Sequence, residues 1–462
     1  MEKLLVILLF VTGISITIFV QPVGPLAVLF GTFCAGIAVF LINKNFEGEE
    51  REFLRKLFII GLLLRIGLAT ATYIFDLQGF FGGDSAAYDR TGYALYTSWF
   101  GYYSEINAFY LSATERTSGS GFGMAYIVGA IYSLVGRNPL ATQFFNSVLG
   151  AATCCFIYSS AKNIFNNNRV ARISAIFVAL FPSLIVWSSQ GLKDGIICFL
   201  LAVAINTLFA LNKKFSYVSV ALLLTALFGI YALRFYIFFA FVVATLGSFV
   251  INSQKSAAAV GRQVVVLIII TLGLTYLGVL RGAQQNIEIF GNLQTLQSSR
   301  SDLARSAESG YGTDIDVSTP TGAIQALPVG LVYLILAPFP WQVKNFRQAV
   351  TLPEVFVWWS LMPFLVIGVW YTLKNKLRES IAIILLTLLL TISYAIFQGN
   401  VGTAYRMRAQ MQIFYFIFVA VGLTMWLEKR ENQDLARKNR NNTDVAKVRI
   451  GQKAKQQTRV LN

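Results

Sequence analysis

The chain has 462 residues, 56% of them hydrophobic and 13% charged, with 38 Lys and Arg against 22 Asp and Glu and a formal net charge of +16. A soluble core could not absorb apolar runs of membrane-spanning length that recur from residue 4 to residue 427, so a polytopic α-helical membrane protein is expected. Histidine is absent and the cysteines, Cys34, Cys154, Cys155 and Cys198, all fall inside apolar runs, which excludes a His general base, a Cys–His pair, a His-ligated metal and a disulfide frame. The positive excess concentrates in short connections and a C-terminal tail, the distribution of the positive-inside rule and anionic lipid contact, and no nucleic-acid partner is expected.

Apolar runs at about 4–20 and 24–43 predict a first hairpin, expected to be retained because no small-residue cleavage site follows Met1-Glu2-Lys3 before the second run. The mixed-charge linker 43–56 places itself and the N-terminus in the cytoplasm. A third helix at 57–75 then exits at Phe80-Phe81-Gly82-Gly83-Asp84-Ser85-Ala86-Ala87-Tyr88-Asp89-Arg90. The loop that follows, to about residue 122, carries Tyr88, Tyr93, Tyr96, Trp99, Tyr102 and Tyr103 at helical or near-helical spacing, the mark of an amphipathic interfacial helix or a carbohydrate-stacking surface.

The short run 121–135 is read as not crossing, because only then do Lys162, Arg169, Arg172, Lys213 and Lys214 fall inside. Helices at about 140–161, 170–188, 195–211, 216–233, 235–252 and 263–281 then alternate. The polar stretch 281–321, with Arg300, Asp302, Arg305, Glu308, Asp314 and Asp316, belongs outside. The run 324–341 contains Pro328 and ends Ala337-Pro338-Phe339-Pro340-Trp341, so it is expected to be re-entrant or broken. Helices at 353–373, 379–397 and 410–427 complete an all-α, multi-pass protein of about twelve transmembrane helices plus two partial segments. Its domain is 1–427, with external loops 76–138 and 282–352, and a basic tail at 428–462 is expected to be disordered and cytoplasmic. Inverted repeats and nucleotide-binding glycine loops are not evident.

This topology gathers Asp84, Asp89, Lys193-Asp194, Arg234 and Tyr405-Arg406-Met407-Arg408 on the outer side. A carboxylate beside cations at a wet membrane cavity suits transfer between a soluble hydroxyl and a lipid phosphate: the carboxylate takes the proton, and Arg, Lys or a divalent cation carries the leaving charge. Simpler readings stand beside this one. Asp84 and Asp194 are also placed to cap helices, Asp89 to pair with Arg90, Lys193 with Asp194, Arg234 to snorkel, and Arg406 and Arg408 to be flanking charges.

Gly83-Asp84-Ser85-Ala86-Ala87-Tyr88, Gly136-Arg137-Asn138-Pro139-Leu140-Ala141 before a helix with Asn146 and Gly150, and Lys193-Asp194 after Phe181-Pro182-Ser183 resemble the polyprenyl-phosphate-sugar-dependent glycosyltransferases of the glycosyltransferase-C superfamily. That group includes protein mannosyltransferases and the lipid A aminoarabinose transferase. The resemblance spans about 57–211, with an echo at Tyr405-Arg406-Met407-Arg408. It implies a glycosyltransferase-C-like fold and inverting transfer from a polyprenyl-phosphate sugar to a glycan, lipid or protein acceptor on the outer face, in a cell envelope such as a bacterial plasma membrane. Asp84 matches the catalytic acid and Asp194 a second acid near a metal or the donor phosphate. Arg406 and Arg408 match late cations near that phosphate. From their place on the same outer side, and not from the resemblance, Asp89, Lys193, Arg234 and Tyr405 are expected as further substrate contacts. If a divalent cation such as Mg or Mn is used, Asp84 and Asp194 are its expected ligands. The chain departs from the family in two extra N-terminal helices, in Ser85 where several relatives have a second acid, and in lacking a proline pair before the next apolar segment. A polysaccharide polymerase or ligase using Arg300 and Arg305, and a lipid-linked sugar flippase, are the alternatives.

Overall fold

The computed structural model describes residues 1–81, 83–102, 104, 108–112, 122–251, 257–276, 278–279, 292–305, 309–312, 315–343 and 345–460. Tyr103, Glu308, Asp314 and Lys344 lie outside them. In chain order the helices are α1 (Glu2–Phe19), α2 (Gly24–Asn45), α3 (Gly48–Ile74), α4 (Gln78–Phe81), α5 (Asp84–Trp99), α6 (Gly123–Val135), α7 (Pro139–Phe165), α8 (Asn168–Leu180), α9 (Pro182–Ser188), α10 (Lys193–Lys213), α11 (Tyr217–Leu233), α12 (Phe235–Ile251), α13 (Ala257–Tyr276), α14 (Leu293–Arg305), α15 (Pro320–Leu336), α16 (Phe346–Ala349), α17 (Leu352–Asn375), α18 (Leu377–Phe397) and α19 (Val401–Val460). No strand is present among the described residues beyond a single antiparallel bridge, Gly310 with Asn400.

Eight described helices are long and apolar enough to cross a membrane, or nine if the bent pair α8 and α9 is one span, which makes the chain a multi-pass membrane architecture. The expectation of about twelve is not met by this measure. The shortfall lies at 216–233, 235–252 and 263–281, where α11 and α12 have 17 residues each and the described apolar part of α13 is shorter still. A 17-residue helix is only about 26 Å long, under the roughly 30 Å of a bilayer core. The 13 residues of α6, about 20 Å, are likewise too few to cross. At 324–341 the helix α15 passes through Pro328 without a break and ends at Leu336, before the cis Ala337-Pro338 peptide. Beyond residue 427, where the composition leads one to expect a disordered tail, α19 continues as helix to Val460.

Ion pairs tie the basic connections together at one end of the bundle. Lys162 at the end of α7 pairs with Glu50, Arg172 with Glu49 at 3.1 Å, and Arg169 with Glu431 at 2.7 Å, while Lys213 donates to Asn163 at 2.7 Å. The start of α3, the α7–α8 turn, the end of α10 and the distal part of α19 therefore share that end. The end of α3 and the starts of α7, α10 and α19 lie at the other, so the segment 75–138, α6 included, returns the chain to the face it left.

The bend of 54° between α8 and α9 occurs at Phe181-Pro182. Pro182 has no N–H to give the Val178 carbonyl, and the kink pulls neighbouring carbonyls out of register. Arg65, deep in α3 and 1% exposed, covers the gap. Its Nη1 donates to the carbonyls of Ala179 at 2.8 Å and Gly61 at 3.0 Å, its Nη2 to Val178 at 3.4 Å, and its Nε to the Ser188 hydroxyl at 2.7 Å. An arginine inside an apolar run is costly unless its donors find partners, and here the broken helix supplies them.

Candidate active site

Kinking at Pro182 makes α9 a short segment, and the turn that follows it aims the next helix. Asn146 of α7 holds that turn, donating to the carbonyls of Gln190 at 2.6 Å and Leu192 at 2.7 Å. Helix α10 then starts at Lys193 with Asp194 fully buried in its first turn. No side-chain cap bond involves Asp194, and the N-cap residue is Leu192. Its carboxylate instead accepts from Nη2 of Arg234 at 2.7 Å and Nε2 of Gln410 at 3.3 Å on Oδ1, and from Nε of Arg406 at 2.6 Å on Oδ2.

Helix α19 begins at a clamp. Asn400 accepts from the Gly402 amide at 2.7 Å and the Ser309 hydroxyl at 3.0 Å, and Tyr311 donates its amide to the Gly399 carbonyl at 2.8 Å. From that fixed start, Arg406 and Gln410, four residues apart, share a helix face and both reach Asp194. The Arg406 guanidinium also gives Nη1 to Oδ2 of Asp84 at 2.7 Å. Asp84 opens α5, whose N-cap is Gly83, so it is an ion-pair partner and makes no capping bond. Three residues distant in sequence thus form one unit, Asp84–Arg406–Asp194, with Arg234 behind it.

The unit borders a cavity of about 1500 Å³. Asp84, Lys193, Arg234, Tyr236, Arg347 and Arg406 give it a polar patch, while Pro182, Val186, Leu233, Phe235, Ile392, Ile396 and Phe397 line apolar wall. Asp84 is half exposed at 53%, against 0% for Asp194. Lys193 lies over the Tyr88 ring at 5.8 Å, and Arg406 over Trp187 at 5.9 Å. Burial and the nearby Asp84 charge push the Tyr88 phenol upward, so it stays neutral in the physiological range.

The remaining expected residues divide. Arg234 is 4% exposed and donates to Asp194 and, at 2.9 Å, to the Tyr236 hydroxyl, so it does not snorkel. Tyr405 borders the cavity but gives its hydroxyl to Glu354 at 2.8 Å. Arg408 lies on the opposite side of α19, 1% exposed, giving Nη1 to the carbonyls of Ile335 at 2.8 Å and Ala337 at 3.0 Å; it is not brought to the site. Asp89 is also withheld. It pairs with Arg137 at 2.6 Å rather than with Arg90, and it accepts from the Tyr132 hydroxyl at 2.6 Å. The bond to Asp89 raises the Arg137 pKa, and burial, with the Asp89 charge, raises that of Tyr132. Arg300 is buried and donates to the Gly312 carbonyl at 3.2 Å, Arg305 is exposed, and neither borders the cavity.

Several contributors were missed. Arg347 and Glu354 line the cavity, Gln410 completes the shell of Asp194, and Arg65 supports the bend. Arg65 was visible as a lone cation inside an apolar run, while Gln410 had no mark beyond its spacing from Arg406.

Residues 120–278 match the family of dolichyl-phosphate-mannose-protein mannosyltransferases. Over this stretch the chain resembles a membrane glycosyltransferase. The likeness read from Gly136-Arg137-Asn138-Pro139, Asn146 and Lys193-Asp194 is thereby shown; Asp84 and Arg406 lie outside the matched residues. No curated protein matches the chain. Among solved structures it is similar to the Archaeoglobus fulgidus oligosaccharyltransferase in the apo form, at 14% identity and a TM-score of 0.48 over 83% of this chain and 52% of that one. It is similar also to that protein in complex with Zn and sulfate, at 14% identity and a TM-score of 0.37 over 75% and 45%. The chain spans about half the length of these structures.

Proposed function

We propose that the protein is a membrane glycosyltransferase that moves a sugar from a polyprenyl-phosphate donor to a hydroxyl acceptor on the non-cytoplasmic face. The observation that carries this reading is the Asp84–Arg406–Asp194 unit beside a cavity with long apolar walls. The apolar walls suit the prenyl chain and the cationic patch its phosphate. Asp84, the exposed member, is placed to take the proton of the acceptor hydroxyl as its oxygen attacks the anomeric carbon with inversion. The bond from that carbon to the phosphate oxygen breaks, the electron pair leaves with the phosphate, and the guanidinium of Arg406 with Lys193 stabilises the charge. Asp194, buried and doubly bonded to arginine, holds Arg406 in place.

The clustering of Lys162, Arg169, Arg172 and Lys213 at the opposite end supports a cytoplasmic assignment for that end and an external one for the site. Membranes carrying D84N, assayed for transfer from a labelled polyprenyl-phosphate sugar, are expected to lose about 10²–10⁴ in rate, the usual contribution of a general base. Near-normal transfer at normal protein level refutes the assignment of Asp84.

A further inference from the structure

The side chains between Asp84 and Asp194 do not fit a divalent cation. Mg²⁺ or Mn²⁺ takes roughly six oxygen ligands at about 2.1 Å, from carboxylates free to face it. Both oxygens of Asp194 are already taken, Oδ1 by Arg234 at 2.7 Å and Gln410 at 3.3 Å, Oδ2 by Arg406 at 2.6 Å, in a fully buried position. Asp84 accepts from the same guanidinium on Oδ2 at 2.7 Å. No group of three or more Asp, Glu, Cys or His side chains suited to a metal exists among the described residues, and the chain has no histidine. Lys193, Arg234 and Arg406 all surround the pair within electrostatic reach of one another, so a dication would enter against three like charges.

We infer that the guanidinium of Arg406 is the cation of this site, standing where a bridging metal would stand between the two carboxylates. A guanidinium keeps its charge at every relevant pH, is planar, and presents donors on several edges at once. Two edges are used, Nε on Asp194 and Nη1 on Asp84. The third, Nη2, is buried and has no partner among the described residues, on a side chain that borders the cavity. An unpaired buried donor is costly, and since Nη2 is closed to solvent here, an anionic phosphate oxygen would satisfy it once the guanidinium turns toward the cavity. Trp187, whose ring lies 5.9 Å from the guanidinium carbon, limits its other movements. The ion-pair geometry argues for the cation by itself; the phosphate as its ligand rests on the transferase reading.

The cation's identity is testable without any donor. The full chain, purified in detergent, is titrated with Mn²⁺ and free Mn²⁺ is read by electron paramagnetic resonance, for the wild type, D84N, R406K, R406Q and the double variant D84N/R406Q. The wild type and R406K are expected to hold no Mn²⁺ at millimolar concentration. R406Q frees Oδ2 of Asp84 and of Asp194, while Arg234 and Gln410 keep Oδ1 of Asp194; it is expected to gain one site at least about tenfold tighter, the least that lifting a unit like charge a few ångströms from a dication supplies in a screened site. D84N/R406Q is expected to lose that site. Stoichiometric Mn²⁺ binding by the wild type that D84N removes overturns the inference, and so does a folded R406Q that gains none. Should R406Q not fold, the wild type and D84N decide alone. A chain that treats Mn²⁺ as expected but transfers no sugar overturns the transferase reading and leaves the cation assignment standing.

Discussion

Replacing Asp194 and Asp84 separately by asparagine should divide stability from chemistry. The D194N substitution would keep the shape of the side chain but remove the negative charge that faces Arg234 from α10, while Arg234 stays 4% exposed and Arg406 12% exposed. Two unit charges about 4 Å apart attract by about 4 kcal/mol at an effective dielectric of 20, and breaking one partner of a buried pair typically costs about 3–5 kcal/mol. Arg406 keeps Asp84 as a charged partner, while among the described residues Arg234 is left with neutral acceptors such as the Tyr236 hydroxyl, so the cost falls mainly on Arg234. D84N is different: the carboxylate is 53% exposed and the pair lies at the cavity surface, where removing it costs about 0–1 kcal/mol. The assay is thermal unfolding in detergent followed by intrinsic tryptophan fluorescence, with transfer measured on the same preparations. D194N should lower the unfolding temperature by several degrees and D84N by little or nothing, while both lose transfer. Equal unfolding temperatures for the two variants, or a D84N protein less stable than D194N, would refute the division of roles between the buried and the exposed acid.

Three further outcomes are expected. R65M leaves the carbonyls of Val178 and Ala179 and the Ser188 hydroxyl without their donor; at about 1–3 kcal/mol for each buried group left unpaired, partly offset by no longer burying a charge, the chain should lose about 2–4 kcal/mol and its yield in membranes should fall. G150A places a methyl 2.3 Å from Cβ and 2.4 Å from Oγ of Ser188. Overpacking of this kind costs about 1–3 kcal/mol, and because α9 leads into the turn that carries Asp194, transfer should fall by more than the stability loss explains. D89N and R137A break a pair in which Arg137 is 47% exposed; each should change stability by about 1 kcal/mol or less, more weakly at high salt, and leave transfer near normal, and a large loss of transfer in D89N would restore it to the site.

The acids and cations of the site were legible because each stands out from its surroundings: Asp84 after an apolar run, Lys193-Asp194 after the proline at 182, Arg406 before the last long apolar run. Their pairing was not. Arg406 meets Asp84 across 322 positions and Asp194 across 212, and no local pattern reports contacts at that separation. Arg406 and Arg408 are indistinguishable as neighbours in sequence. Two residues turn an α-helix by about 200°, so one faces the cavity and the other the carbonyls of Ile335 and Ala337. Asp89 reads like a companion of Asp84, yet five positions along α5 it meets Arg137 instead.

By itself the sequence determined a helical membrane protein, the approximate place of its helices and the exclusion of histidine chemistry, because composition and hydrophobic length are local or additive properties. Packing alone decided the rest. Which carbonyls a bend exposes and which arginine covers them depend on three-dimensional contact. So does the geometry in which one guanidinium joins two carboxylates, since an ion pair is specified by distance and burial, and neither is written in the order of the residues.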